Sequence, residues 1–488
     1  MRKLRFVALA APSLLLLAAL APACEDSGAS SGNTFVVPES GAFDTGSGSE
    51  GGPLTDGAIG DAAADSFVSP AVSVTVVDAA GPKKDVRVVF HDAAGLVIGQ
   101  AITNALGKAS AATAPSMVTV LTKLGTQVAN VTFTSVTVGD ELVVAVRNGE
   151  TEEAPVGSYV VSLTDPGNAT AGLGAIEVTG GSGSSTPPCI GNTSAVATPA
   201  TVPLYTHCLA AQNVVLAAAA ATGPTNIAFA FTKTAPKPAA LATVNVGPLA
   251  FAAAGKAIVK ATNLPASRTI SKHAGLLGIV SGQAIVLASP AGANIADTIK
   301  GVEFPTPTGF ADAYQVNIGI DTFGSVEQHS DVVQRVATTA PASFAFPTVD
   351  FATSLPLIDD VTLATVTPSR PEVTVVPAAS LAAADAGLVA YNWVNAAMAT
   401  GGSWTFVVPG NVTTVKTPAL PADAATFAPI GSISADRATY FEASQIASYA
   451  VAKKLPVSPR VGAEAMDANR ALPSAGTLRV ARWFPGAL

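Results

Sequence analysis

Short runs of β-branched residues, broken by glycine- and aspartate-bearing turns at intervals of about 8–12 residues, recur along the chain from Pro70 onward. Such a rhythm leaves room for sheets and almost none for long helices. Val72, Val74 and Val76 fall on one strand face, and Val86, Val88 and Phe90 on another. Asp92-Ala93-Ala94-Gly95 and Asn104-Ala105-Leu106-Gly107 put glycine where a turn asks for positive φ. Val118, Val120, Val131, Phe133, Val136, Val138 and Leu142 to Val146 supply further strands. Later, Tyr314, Val316, Ile318 and Ile320 alternate with Gln315, Asn317 and Gly319, the pattern of a half-buried antiparallel strand.

At 488 residues the chain exceeds one ordinary hydrophobic core, so several domains are expected. Charged residues make up 12%, about half of the usual share, and alanine, valine, threonine, glycine and proline dominate. The mean hydropathy of +0.44 comes from alanine and valine dispersed along the chain. After the N-terminal segment the longest apolar run, Val214 to Ala221, falls well short of the ~20 residues of a bilayer span. Acidic residues outnumber basic ones, with a net charge of −8, and no basic stripe with interleaved aromatics exists to displace counterions. Nucleic acid is therefore not an expected partner.

The first residues have the layout of an export signal. Arg2, Lys3 and Arg5 are a basic start, Phe6 to Leu20 an apolar stretch interrupted by Pro12, and Leu20-Ala21-Pro22-Ala23 a small-residue cleavage site before Cys24. The segment resembles a bacterial lipoprotein signal, in which the cysteine is diacylated on sulfur and becomes the new N-terminus. Ala21 and Pro22 stand where such a signal usually carries Leu and then Ala or Ser. The resemblance implies a lipid on Cys24 and a membrane as its partner; the alternative is a general cleavage after Ala23 that leaves a thiol. Loss of residues 1–23 leaves 23 Lys+Arg against 34 Asp+Glu, a net of −11.

Residues 24–69 are rich in Gly, Ser, Asp and Ala, and are expected to be a disordered tether that cannot bury enough apolar surface to fold. As a flexible coil it would reach ~35–40 Å. Cys189 and Cys208 are an even remainder in an exported chain, and a disulfide between them, worth ~3 kcal/mol, is expected against the alternative of two buried thiols.

Four β modules are expected after the tether, over 70–148, 149–238, 239–355 and 356–488. In the first, Val74-Thr-Val-Val-Asp, Asp85-Val-Arg-Val-Val-Phe, Thr103-Asn-Ala-Leu-Gly-Lys-Ala and Val118-Thr-Val resemble bacterial Ig-like and carboxypeptidase-regulatory-like (transthyretin-like) sandwiches. Neither family has a common catalytic residue. In the last, Tyr391-Asn-Trp and Gly402-Ser-Trp-Thr-Phe-Val-Val-Pro resemble a fibronectin type III sandwich, which would put Trp393 between its sheets. In that reading Trp404, Phe406 and Val408 share a face, and Leu478 to Phe484 is a closing strand. The fold class is thus all-β, tandem β-sandwich modules after a signal peptide and tether.

Catalytic signals are sparse. His91, His207, His273 and His329 lie far apart without H-E-x-x-H or Cys-x-x-Cys spacing, so no metal site or cofactor is expected from local pattern. Alternation places His91 and His207 on outward, solvated faces. Asp44-Thr-Gly-Ser matches an aspartic-protease string, but that chemistry needs two such loops sharing a proton, and only one is present. Asp321, Glu327, His329, Ser330 and Asp331 form the densest polar cluster, read as a solvated hairpin loop because no G-x-S-x-G elbow supplies a nucleophile. Trp393, Trp404 and Trp483 are expected in cores rather than on sugar-binding platforms. The expected function is a non-catalytic cell-envelope lipoprotein, at the outer membrane or cell surface rather than the inner membrane, with a structural, adhesive or binding role. Its ligand would be a protein or polysaccharide. The alternative is a hydrolase, or a hydrolase-associated carbohydrate-binding surface protein.

Overall fold

The computed structural model describes residues 71–78, 81–124, 127–146, 155–165, 170–178, 199–205, 213–222, 225–235, 242–264, 271–280, 283–288, 301–322, 326–337, 343–364, 370–395, 400–457 and 475–485. The architecture is all-β, as the turn rhythm requires. Helix among the described residues is confined to the 3-10 turns Phe351–Thr353 and Ala422–Phe427 and the single turn Tyr449–Ala452. None of these is long and apolar enough to cross a membrane.

A twelve-stranded sheet organises the molecule. In chain order its strands are β1 (Arg87–His91), β2 (Val97–Ile102), β3 (Met117–Leu124), β4 (Gln127–Phe133), β5 (Ser271–Val280), β6 (Gln283–Ala288), β7 (Ala313–Thr322), β8 (Val326–Ala337), β9 (Ala386–Asn395), β10 (Thr400–Pro409), β11 (Ser432–Ala443) and β12 (Gly476–Pro485). In space they run β6-β5-β7-β8-β12-β11-β9-β10-β4-β3-β1-β2. Every neighbouring pair is antiparallel except β10 and β4, which run parallel with Trp404 opposite Asn130. Hydrogen bonds therefore pass between stretches 128–133 and 402–407, and between 326–335 and 476–485, that are remote in sequence.

Each face of this sheet is covered because its strands alternate. On one face Val88, Val118, Val120, Val131, Phe133, Leu388, Val407, Phe441, Leu478 and Val480 meet Val72, Val74, Val76, Leu142 and Val144 from a second sheet. That second sheet comprises Val72–Asp78, Gly81–Pro82, Lys108–Ala111 and Asp140–Ala145, the last parallel to the first. On the opposite face Tyr391, Trp393, Trp404, Phe406, Tyr440 and Trp483 pack on Ile358, Val361, Val373 and Val375 of a three-stranded sheet. Farther along that face, Tyr314, Val316, Ile318, Ile320 and Val332 pack on Ala257, Val259, Phe304 and Phe346. The alternation read at Tyr314 to Ile320 and at Trp404 to Val408 gives the apolar face found, but the strand over Tyr314 to Ile320 is not half-buried, because Gln315 and Gly319 on its other face are enclosed as well. All three tryptophans lie in cores, with Trp404 wholly enclosed. Leu478 to Phe484 is a strand, and it lies between β8 and β11 in the sheet interior.

Candidate functional site

Strand alternation first turns Asp321 on β7, His329 and Asp331 on β8, and Arg482 on β12 toward one face, since directly paired residues share a face. His273 on β5 joins them, paired across the strand with Gly319. That face also carries Val333, Leu478 and Val480, so the charged group adjoins the margin of the core formed with Val72, Val74 and Val76.

The side chains connect across the strands. His273 Nδ1 is 2.7 Å from Asp321 Oδ2, and His329 Nδ1 is 2.6 Å from Asp321 Oδ1, so one carboxylate accepts from two imidazoles. His273 Nε2 lies 3.3 Å from Asp331 Oδ1, and Arg482 Nη1 donates to Asp331 Oδ2 at 3.1 Å. Glu327 Oε2 stands 3.9 Å from His329 Nε2, and Phe484 meets the same ring edge-on at 5.7 Å. Neighbouring rows extend the stripe, because Arg335 donates to Gln315 Oε1 and Gln315 to Asn317 Oδ1.

Gly319 makes this convergence possible. A Cβ there would stand 2.1 Å from Asp331 Oδ1 and 2.4 Å from His273 Nε2, closer than atoms can approach. Its lack of a side chain lets residues on β5 and β8 meet over the strand between them.

Burial acts most strongly on His273 and would lower its pKa, yet the hydrogen bonds and charges of Asp321 and Asp331 together raise it to about 10. Burial likewise works to raise Asp321, and the bonds from His273 and His329 overcome it, leaving about 2. The pair is thus imidazolium and carboxylate near neutrality. A protonated His273 is a hydrogen-bond donor there and not a general base.

Two expectations are corrected. The Asp321 to Asp331 cluster is no solvated loop: Asp321, His329, Ser330 and Asp331 are buried strand residues, and Ser330 Oγ donates to Leu355 O. Its polarity is balanced sideways, by partners on adjacent strands, which a reading along one strand does not see. His91 is not a surface residue either. It is fully enclosed, and its Nε2 lies 3.0 Å from Thr119 Oγ1, in a chain that continues through Thr132 to Trp404 Nε1. Its outward face is covered because the segment around Leu420, Ala424 and Phe427 packs on Val89 and Leu121.

Cys24, Cys189, Cys208, His207 and the Asp44 string lie outside the described residues, and with them the lipidation and disulfide expectations. The cluster at His273 was missed by local spacing because its members come from four strands. The alternation of β7 was the one usable signal, since it set Gly319 on the face opposite the apolar set, and Asp321 follows two residues on in the same row.

No protein-family model matches the sequence, and no curated protein matches it. Among solved structures, the Bacillus anthracis TIE protein is similar at 10% identity over 58% of this chain and 50% of its own, with a TM-score of 0.13. The chain thus spans about half the length of that protein. The chicken CNTN1 FN1–FN3 domains match at 9% identity over 67% of this chain and 89% of theirs, with a TM-score of 0.14. Escherichia coli alpha-2-macroglobulin matches at 10% identity over 74% of this chain and 26% of its own, with a TM-score of 0.10. At such scores these likenesses carry no argument about function.

Proposed function

We propose that the chain is a non-catalytic cell-envelope lipoprotein, held by a lipid on Cys24 and a tether over residues 24–69, whose β-sandwich body has a structural, adhesive or binding role. One observation carries the non-catalytic part. Among the described residues, the one close group of histidine and carboxylate donors is laid across adjacent strands of a sheet, where Asp321 bonds two imidazoles and Asp331 bonds a guanidinium. Those contacts hold β5, β7, β8 and β12 together and keep His273 protonated. Supporting the anchor are the basic and apolar leader before Cys24 and the even remainder of Cys189 and Cys208, proposed to form a disulfide.

The anchor is tested by metabolic labelling of the full chain with an alkyne palmitate analogue. Label on the wild type that disappears in Cys24→Ala is the expected result. An unlabelled wild type overturns the lipoprotein reading.

A further inference from the structure

We propose that His273 and Asp331 form a binding site for a first-row divalent cation of the zinc type, taken up in place of the proton between them. The spacing is the first reason. Charge-assisted N–H···O bonds close to about 2.7–2.9 Å, as His273 does with Asp321. On the other side of the same ring, Nε2 and Asp331 Oδ1 stand 3.3 Å apart. Two ligands bound tetrahedrally at about 2.0–2.1 Å are separated by about 3.3–3.4 Å, so the pair already has the edge of a zinc shell.

The surroundings orient both donors. Asp321 accepts from His273 Nδ1, which fixes that proton and aims Nε2 at Asp331, so that the lone pair left when the cation displaces the Nε2 proton points at the metal; this is the carboxylate–histidine arrangement that raises a ligand's basicity. Arg482 occupies Asp331 Oδ2 and leaves Oδ1 for the cation. Donor atoms of His273, Asp321 and Asp331 all lie within 4.8 Å of one another. Gly319 leaves open the space over which Nε2 and Oδ1 meet. The His273 side chain is 35% exposed, which gives the cation entry and lets water complete its shell. A mixed nitrogen and oxygen donor set favours zinc-type ions over calcium or magnesium, which prefer oxygen alone.

The test is calorimetric titration of the chelator-treated full chain with zinc chloride, together with zinc-edge X-ray absorption of the loaded wild type. Expected are one zinc per chain, a nitrogen and oxygen shell at about 2.0 Å that includes imidazole, and affinity at least about tenfold weaker in His273→Asn and Asp331→Asn. A wild type that binds no zinc overturns the site. So does a sulfur shell at about 2.3 Å, which would assign the metal to the cysteines, or undiminished affinity in a folded His273→Asn. Should both variants fail to fold, the absorption spectrum of the wild type decides.

Discussion

His91 shows how much one residue's setting can differ from its neighbourhood in sequence. Trp404 Nε1 can only donate, so Thr132 Oγ1 accepts from it at 2.8 Å, and the chain of contacts continues through Thr119 Oγ1 to His91 Nε2. Its Nδ1 is buried and makes no hydrogen bond among the described residues. Burial first, and then the positive charge of Arg370 against a smaller pull from Asp92, lowers its pKa to about 4. The folded state therefore resists protonation that the unfolded chain accepts near 6.5. Stability from this group is whole above pH 6.5 and declines as pH falls toward 4, by about 3 kcal/mol over the interval. Chemical denaturation from pH 7.5 to 4 should show that decline in the wild type and a flatter profile in His91→Gln; equal slopes would mean that His91 does not titrate differently on folding.

At the scale of elements, the turn Tyr449–Ala452 depends on a buried ion pair. Lys453 Nζ bonds Asp140 and also donates to Ser135 O at 3.1 Å, and both charged residues are almost wholly enclosed. Asp140 Oδ2 further accepts from Thr137 N at 2.7 Å. Tyr449 Oη lies 2.8 Å from both Thr134 O and Val407 O and shares its one proton between them, so this short turn fastens the end of β4 to β10. Removing one partner of a buried pair strands the other charge, at a cost of about 3–5 kcal/mol. Lys453→Met should lose that much in urea denaturation, and Asp140→Asn in the same chain should restore part of it. Strictly additive losses would show that the two groups are not coupled.

For the whole molecule the decisive element is β12. It pairs with β8 over Val326 to Arg335 on one side and with β11 over Ala438 to Ala443 on the other, and it contributes to cores on both faces through Val480 and Trp483. Deleting residues 476–488 would open two strand edges in the sheet interior and expose both cores. We expect the truncated chain to lose its cooperative unfolding transition and to be cleaved by protease at concentrations that leave the full chain intact. An unchanged transition midpoint would show that the halves of the sheet stand independently.

The sequence by itself determined the class of fold and most face assignments, because strand periodicity is local: Val72 to Val76, Tyr314 to Ile320 and Trp404 to Val408 each declare their apolar side within a few residues. Glycine-bearing turns such as Asp92 to Gly95 were legible for the same reason, with Gly95 at φ 73°. Only the tertiary structure decided which strands lie side by side. Cross-strand pairing joins β10 to β4 and β12 to β8 over long separations, and no local pattern encodes that partner choice. The charged cluster follows from it: His273, Asp321, Asp331 and Arg482 become one group only when four strands are in register and Gly319 clears the space between them.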